Sequence, residues 1–131
     1  MFMTNAGGRQ VLGGRAGSYS MGLAIPVGQQ IVFISGQIPV DASGNLVGPD
    51  DLTAQTRDVF DKIKALVEEA GGSLGDVVKI TTFLTDMSRF AEFARVREEV
   101  FAPNFPASSS VEVSALVRPG LLVEVEAIAI V

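Results

Sequence analysis

The chain has no cysteine, no histidine and no tryptophan, and its only tyrosine is Tyr19. Without thiols there are no disulfides, thiolate nucleophiles or haem attachments. Without imidazole as well, the zinc sites built from these ligands are excluded. The commonest general base is absent too, so proton chemistry would fall to carboxylates, hydroxyls, backbone amides or Tyr19. Charge is scarce: 19% of residues are charged, against roughly 25% in an ordinary domain. The net charge is -5, and Arg95 and Arg97 are followed at once by Glu98 and Glu99. Neutralising a polynucleotide backbone takes a positive stripe, so no nucleic-acid partner is expected. No apolar run reaches the roughly 18 residues of a membrane span, and the opening M-F-M-T-N-A-G-G-R-Q lacks a secretory apolar stretch. A cytoplasmic location with no membrane partner is the expectation.

What is present fits one domain of 131 residues, 47% of them apolar. A chain this small with so few charges is expected to hide apolar surface against copies of itself. Residues 1–17 carry five glycines and little periodicity, so a loose N-terminal arm is expected before a single domain over 18–131. S-Y-S-M-G-L-A-I-P-V and Q-Q-I-V-F-I-S-G-Q look like two strands of a hairpin about Gly28. After a turn-rich stretch over 41–50, Asp51 or Thr53 can cap a helix whose inner face holds Gln55, Val59, Ile63, Leu66 and Ala70. Gly71-Gly72 stops it. A strand is predicted over 76–85, then a second helix from a Ser88 cap to Phe101, with Phe90, Phe93, Val96 and Val100 inward. Strands over 107–117 and 121–131 follow, separated by Arg118-Pro119-Gly120. The order is β-β-α-β-α-β-β, an α+β fold with two helices on one face of a sheet.

In the last strand, alternation puts Glu124, Glu126, Ile128 and Ile130 on one face and Val123, Val125, Ala127 and Ala129 on the other. Carboxylates on so apolar a strand are either at a wetted edge or lining a polar pocket. Glu124 is the stronger pocket candidate, suited to general acid–base work, and Glu112 a weaker one. Gly36, after Ser35, allows either a close backbone approach or a plain bulge. Tyr19 serves either a core or interface role, or a cleft. There is no phosphate loop, catalytic triad or metal-ligand spacing, so neither metal nor cofactor is expected.

Five stretches taken together, S-G-Q-I-P-V (35–40), A-Q-T-R-D-V-F-D-K-I-K-A-L-V-E-E-A-G (54–71), G-D-V-V-K-I-T-T-F-L-T-D-M (75–87), F-P-A-S-S-S-V-E-V (105–113) and V-E-V-E-A-I-A (123–129), resemble the RidA family, also called YjgF or L-PSP endoribonuclease-like. The resemblance implies a chorismate-mutase-like fold assembled as a homotrimer, sheets inside, with ligand clefts between subunits. It also implies hydrolysis of reactive 2-imino or 2-enamino acids without a cofactor.

Carried over by residue, the family's water-activating glutamate matches Glu124, its cleft tyrosine Tyr19, and its strand-end serine and glycine Ser35 and Gly36. Its substrate-clamping arginine, in a P-A-R-[ST] stretch, falls on Ser108, and a polar helix asparagine falls on Ala94. A bidentate arginine–carboxylate contact contributes roughly 1.5–3 kcal/mol, so its loss implies capture weakened from tenfold to a few hundredfold. Ser108, Ser109 and Ser110 offer neutral donors instead, and Arg118 is a conceivable substitute. The resulting expectation is an imine or enamine hydrolase acting on a small reactive metabolite other than the usual 2-imino acids. A non-catalytic small-molecule-binding trimer stands second and an endoribonuclease third.

Overall fold

The structure, a computed structural model, describes residues 3–4, 8–26 and 30–131. Its strands are β1 (Met3–Thr4), β2 (Gln10–Ala16), β3 (Tyr19–Ala24), β4 (Ile31–Gln37), β5 (Val77–Leu84), β6 (Ala107–Glu112) and β7 (Val123–Ile130). Two helices, α1 (Leu52–Glu69) and α2 (Phe90–Phe101), flank β5 in sequence. The strands form one mixed sheet in the order β1-β2-β3-β6-β5-β7-β4, and both helices cover the same face.

The α1 helix starts where Asp51 accepts a hydrogen bond from Ala54 N at 2.9 Å. It ends where Gly71 takes φ +94° and the Gly72 amide returns to Val67 O at 2.9 Å. Its buried stripe holds Leu52, Gln55, Val59, Phe60, Ile63 and Val67. Val67 therefore takes the inward place expected of Leu66, which is exposed. Gln55 is a polar core residue with its bonding complete. It donates to Gly48 O (3.2 Å) and Gly120 O (3.1 Å) and accepts from Leu122 N at 2.8 Å, fixing two loops to the helix.

Asp86, not Ser88, begins the second helical segment, accepting from Ser88 N at 3.0 Å before a 3-10 turn leads into α2. Both hydrogen bonds from Ser88 hold the Asp86 carboxyl below its ordinary value, the side-chain bond most strongly. Phe60 is the meeting point of the helices, with its ring 5.8 Å from Phe93 and 5.1 Å, edge-on, from Phe101. Ile80, Leu84, Val123, Val125, Ala127 and Ala129 complete this core from the sheet.

Three expectations are corrected. Residues 10–16, read as part of a loose arm, form β2, antiparallel to β3. The glycines that obscured it are working parts: Gly13 and Gly14 take positive φ at a register shift, and Gly17 does so in the turn. Arg9, itself buried, ties this segment in by donating to Gly75 O and, at 2.8 Å, to Val77 O. Second, β3 and β4 do not pair. β3 lies between β2 and β6, while β4 is the far edge beside β7; the expected turn at Gly28 falls outside the described residues. Third, β6 stops at Glu112 rather than continuing to residue 117.

Candidate functional site

Alternation along β6 divides the serine run between the two faces of the sheet. Ser108 and Ser110 stand opposite Ile80 and Thr82, both fully buried toward the helices. Ser109 stands opposite Thr81 on the uncovered face, where its hydroxyl is 3.0 Å from Lys79 Nζ. In β7 the same rule turns Val123, Val125 and Ala127 under the helices and leaves Glu124, opposite Phe83, and Glu126, opposite Thr81, on the uncovered face. Glu124 is half-buried and Glu126 exposed.

On the helix side, Tyr19, Met87, Phe90, Arg97, Ser108 and Ser110 line a cleft of about 380 Å³. The sequence reading missed Arg97. It is 4% exposed, donating from Nε to Ser18 Oγ at 2.9 Å and from Nη1 to Ser108 Oγ at 3.0 Å. The rings of Tyr19, Phe90 and Phe93 lie 5.3, 5.4 and 5.5 Å from its guanidinium carbon. Burial lowers its pKa from the ordinary arginine value, and the nearby Tyr19 hydroxyl opposes that shift. A signal was present: Arg97 falls four residues after Phe93 and seven after Phe90, on the stripe expected to be apolar. Ala94 lines an adjoining groove with Ser18, Tyr19 and Arg97.

On the other face, Glu124 is set against Gly36. A Cβ built on Gly36 would lie 2.7 Å from Glu124 Cδ and 2.9 Å from Cγ, with Oε2 closer still. The register shift between Ile34 and Gln37 places this close approach, so Gly36 is both a bulge residue and a contact. Ser35 lines a separate groove with Phe33, Gln37 and Leu66.

Arg118 lines a third groove, with Thr85 and residues 114–122, apart from Ser108. Glu112 is engaged structurally, its Oε1 accepting from Met87 N at 2.8 Å. Of the candidate residues, Tyr19, Ser108 and Ser110 thus share one cleft, Glu124 and Gly36 meet on the opposite face, and Ser109 and Ser35 join neither group. Among the described residues no cluster of acidic side chains could hold a metal ion, and no helix is long and apolar enough to cross a membrane.

Known proteins share this arrangement of elements. The family model described as Endoribonuclease L-PSP matches residues 14–131. A RutC family protein of Pyrococcus abyssi is 45% identical over 86% of each chain. Among solved structures, the Rid family protein YyfB of Yersinia pestis superposes with a TM-score of 0.84 at 30% identity, covering 94% of this chain and 98% of its own. RidA from a Psychrobacter species does so at 0.72 and 41% identity, covering 89% and 91%. With the match running through both the Glu124 strand and the Tyr19–Ser108 cleft, the chain belongs to the Rid family, the YjgF and RutC proteins also described as L-PSP endoribonucleases.

Proposed function

We propose that this protein is a RidA-like hydrolase of small imines or enamines, working as a homotrimer with its sites between subunits. The observation that carries the reading is Glu124, a half-buried carboxylate held against Gly36 on the sheet face opposite the two helices. The same face leaves Phe33 (76%), Ile31 (48%) and Val111 (45%) exposed, apolar side chains that a second copy could cover. The cleft of Tyr19, Ser108 and Ser110 is on the opposite face of the same sheet, so within one chain it does not meet Glu124. A neighbouring copy can bring the two halves together, and a trimer does so three times.

In such a site Glu124 accepts a proton from water as the oxygen attacks the imine carbon, and the C=N π pair moves to nitrogen, which takes up a proton. The carbinolamine then collapses, its C–N bond breaking as the amine leaves with a further proton and the hydroxyl oxygen becomes the carbonyl. For an unsubstituted imine the products are a ketone or 2-oxo acid and ammonia. Protons are only relayed and no redox change occurs, so the step requires no cofactor.

The test is ammonia release from imines generated in situ from several amino acids, together with sedimentation. A stable 13.8 kDa monomer at micromolar concentration would overturn the inter-subunit site. A trimer that accelerates no imine would leave the binding role, and RNA cleavage co-purifying with the trimer and lost with Glu124→Ala would favour the endoribonuclease.

Gly36→Ala probes the same site without touching its chemistry. The backbone there needs no positive φ and the crowded atoms belong to the flexible Glu124 side chain, so the fold should persist while the carboxylate is pushed aside. Turnover should fall by roughly tenfold to a hundredfold, as expected for displacement by about an ångström, with a nearly unchanged melting temperature. Unchanged kcat/KM would detach Gly36 from the site.

A further inference from the structure

Arg97 is an expensive residue for a purely structural task. A guanidinium stays protonated at neutral pH, and a buried charge without a counter-ion is costly unless something compensates it. The ion pairs among the described residues belong to Arg57, Lys62 and Arg89, and none to Arg97. Its hydrogen-bond acceptors are two neutral hydroxyls, Ser18 and Ser108, and among the described residues Nη2 donates to none. The three surrounding rings supply part of the compensation, as π faces attract a cation without neutralising it.

A second, independent sign is in the same cleft. Ser110 Oγ is buried with no hydrogen-bond partner among the described residues, although the residue lines the cleft beside Ser108. A buried hydroxyl without a partner calls for an explanation, and a bound acceptor supplies one.

We propose that Arg97, reaching from α2 to Ser108, is the anion-recognising residue of this cleft, and that the ligand it selects is a small molecule bearing one carboxylate. The family resemblance implies a clamp at position 108. Here the positive charge arrives at that position from the helix, 3.0 Å away from the serine that occupies it. A guanidinium fork offers two parallel N–H donors to a carboxylate, and the Ser108 and Ser110 hydroxyls can donate to its remaining lone pairs. Among the described residues one cation lines the cleft, which matches a monocarboxylate better than a phosphate dianion. The volume of about 380 Å³ is at the small end for ligand sites. This deepens the proposed reading by restoring carboxylate-bearing imines to the substrate class.

The experiment compares propionate with propionamide, which differ little in shape, by titrating the full chain and following both affinity and the Nε–H resonance of Arg97. The native protein should prefer the acid, and the Arg97 signal should shift with saturation. Arg97→Gln should lose acid binding by about tenfold to a few hundredfold, and Arg97→Lys should keep part of it.

Ser108→Arg alone should bind no better and fold less well, since two guanidiniums would crowd one position. In the Arg97→Gln background the same change should restore both stability and acid binding. Equal affinity for acid and amide, or acid binding that leaves the Arg97 resonance unmoved, would overturn the assignment even if Arg97→Gln fails to fold. So would acid binding unchanged in a folded Arg97→Gln. Arg97-dependent binding without imine turnover would sink the hydrolase and leave the anion site standing. Turnover of carboxylate imines with unchanged KM in Arg97→Gln would do the reverse.

Discussion

Glu124→Gln should reduce imine hydrolysis by about 10²- to 10⁴-fold, the range typical of a positioned general base, while the protein remains folded and assembled. The amide matches the carboxylate in size, so the packing against Gly36 survives, yet it accepts no proton from water. The loss should fall on kcat more than on KM, because the missing interaction belongs to the attack on the imine carbon rather than to ligand capture. Glu124 takes part in none of the ion pairs among the described residues, so neutralising it should change stability by no more than about 0.5 kcal/mol. Stopped-flow turnover on an imine made in situ, paired with a thermal melt, separates the outcomes. A variant retaining more than a tenth of native turnover would remove Glu124 from the chemistry.

Phe60→Ala should produce the largest loss of stability, about 3–5 kcal/mol, a sizeable part of the 5–15 kcal/mol that holds an ordinary domain together. Phe60 is 1% exposed and its ring contacts both Phe93 and Phe101, so truncation opens a void between α1 and α2 that neither helix can fill alone. The melting temperature should fall by roughly 10–20 °C, measured at fixed protomer concentration because assembly contributes to it. Since Phe93 also stacks beneath Arg97, the variant should weaken propionate binding before it unfolds. A drop of only a few degrees would mean that the helices close over the gap.

How much of this was legible beforehand differs from element to element. The α1 helix is legible to within a residue or two, since its start at Asp51 or Thr53, most of its inward stripe (Leu66 excepted) and the Gly71 stop are local features of the backbone. β7 was equally plain, because strict alternation separates Glu124 and Glu126 from the core valines. The β2 strand was hidden for the opposite reason. The glycine bulge that lets it follow β3 also breaks the period-2 pattern by which strands are found.

The residues alone set the chemical inventory: no thiol, no imidazole, one tyrosine, a glutamate on an apolar strand, and a serine where the resemblance implies an arginine. They also set the order of helices and strands from α1 onward, because capping, periodicity and turn chemistry act over a few residues. Which strands are neighbours, which face each serine joins and which cation reaches Ser108 all depend on how the elements pack. Strand pairing depends on contacts far apart in sequence, and alternation alone names no partner. Arg97 and Ser108 come from different elements, and only the packing of α2 over β6 brings a helix guanidinium within 3.0 Å of that hydroxyl.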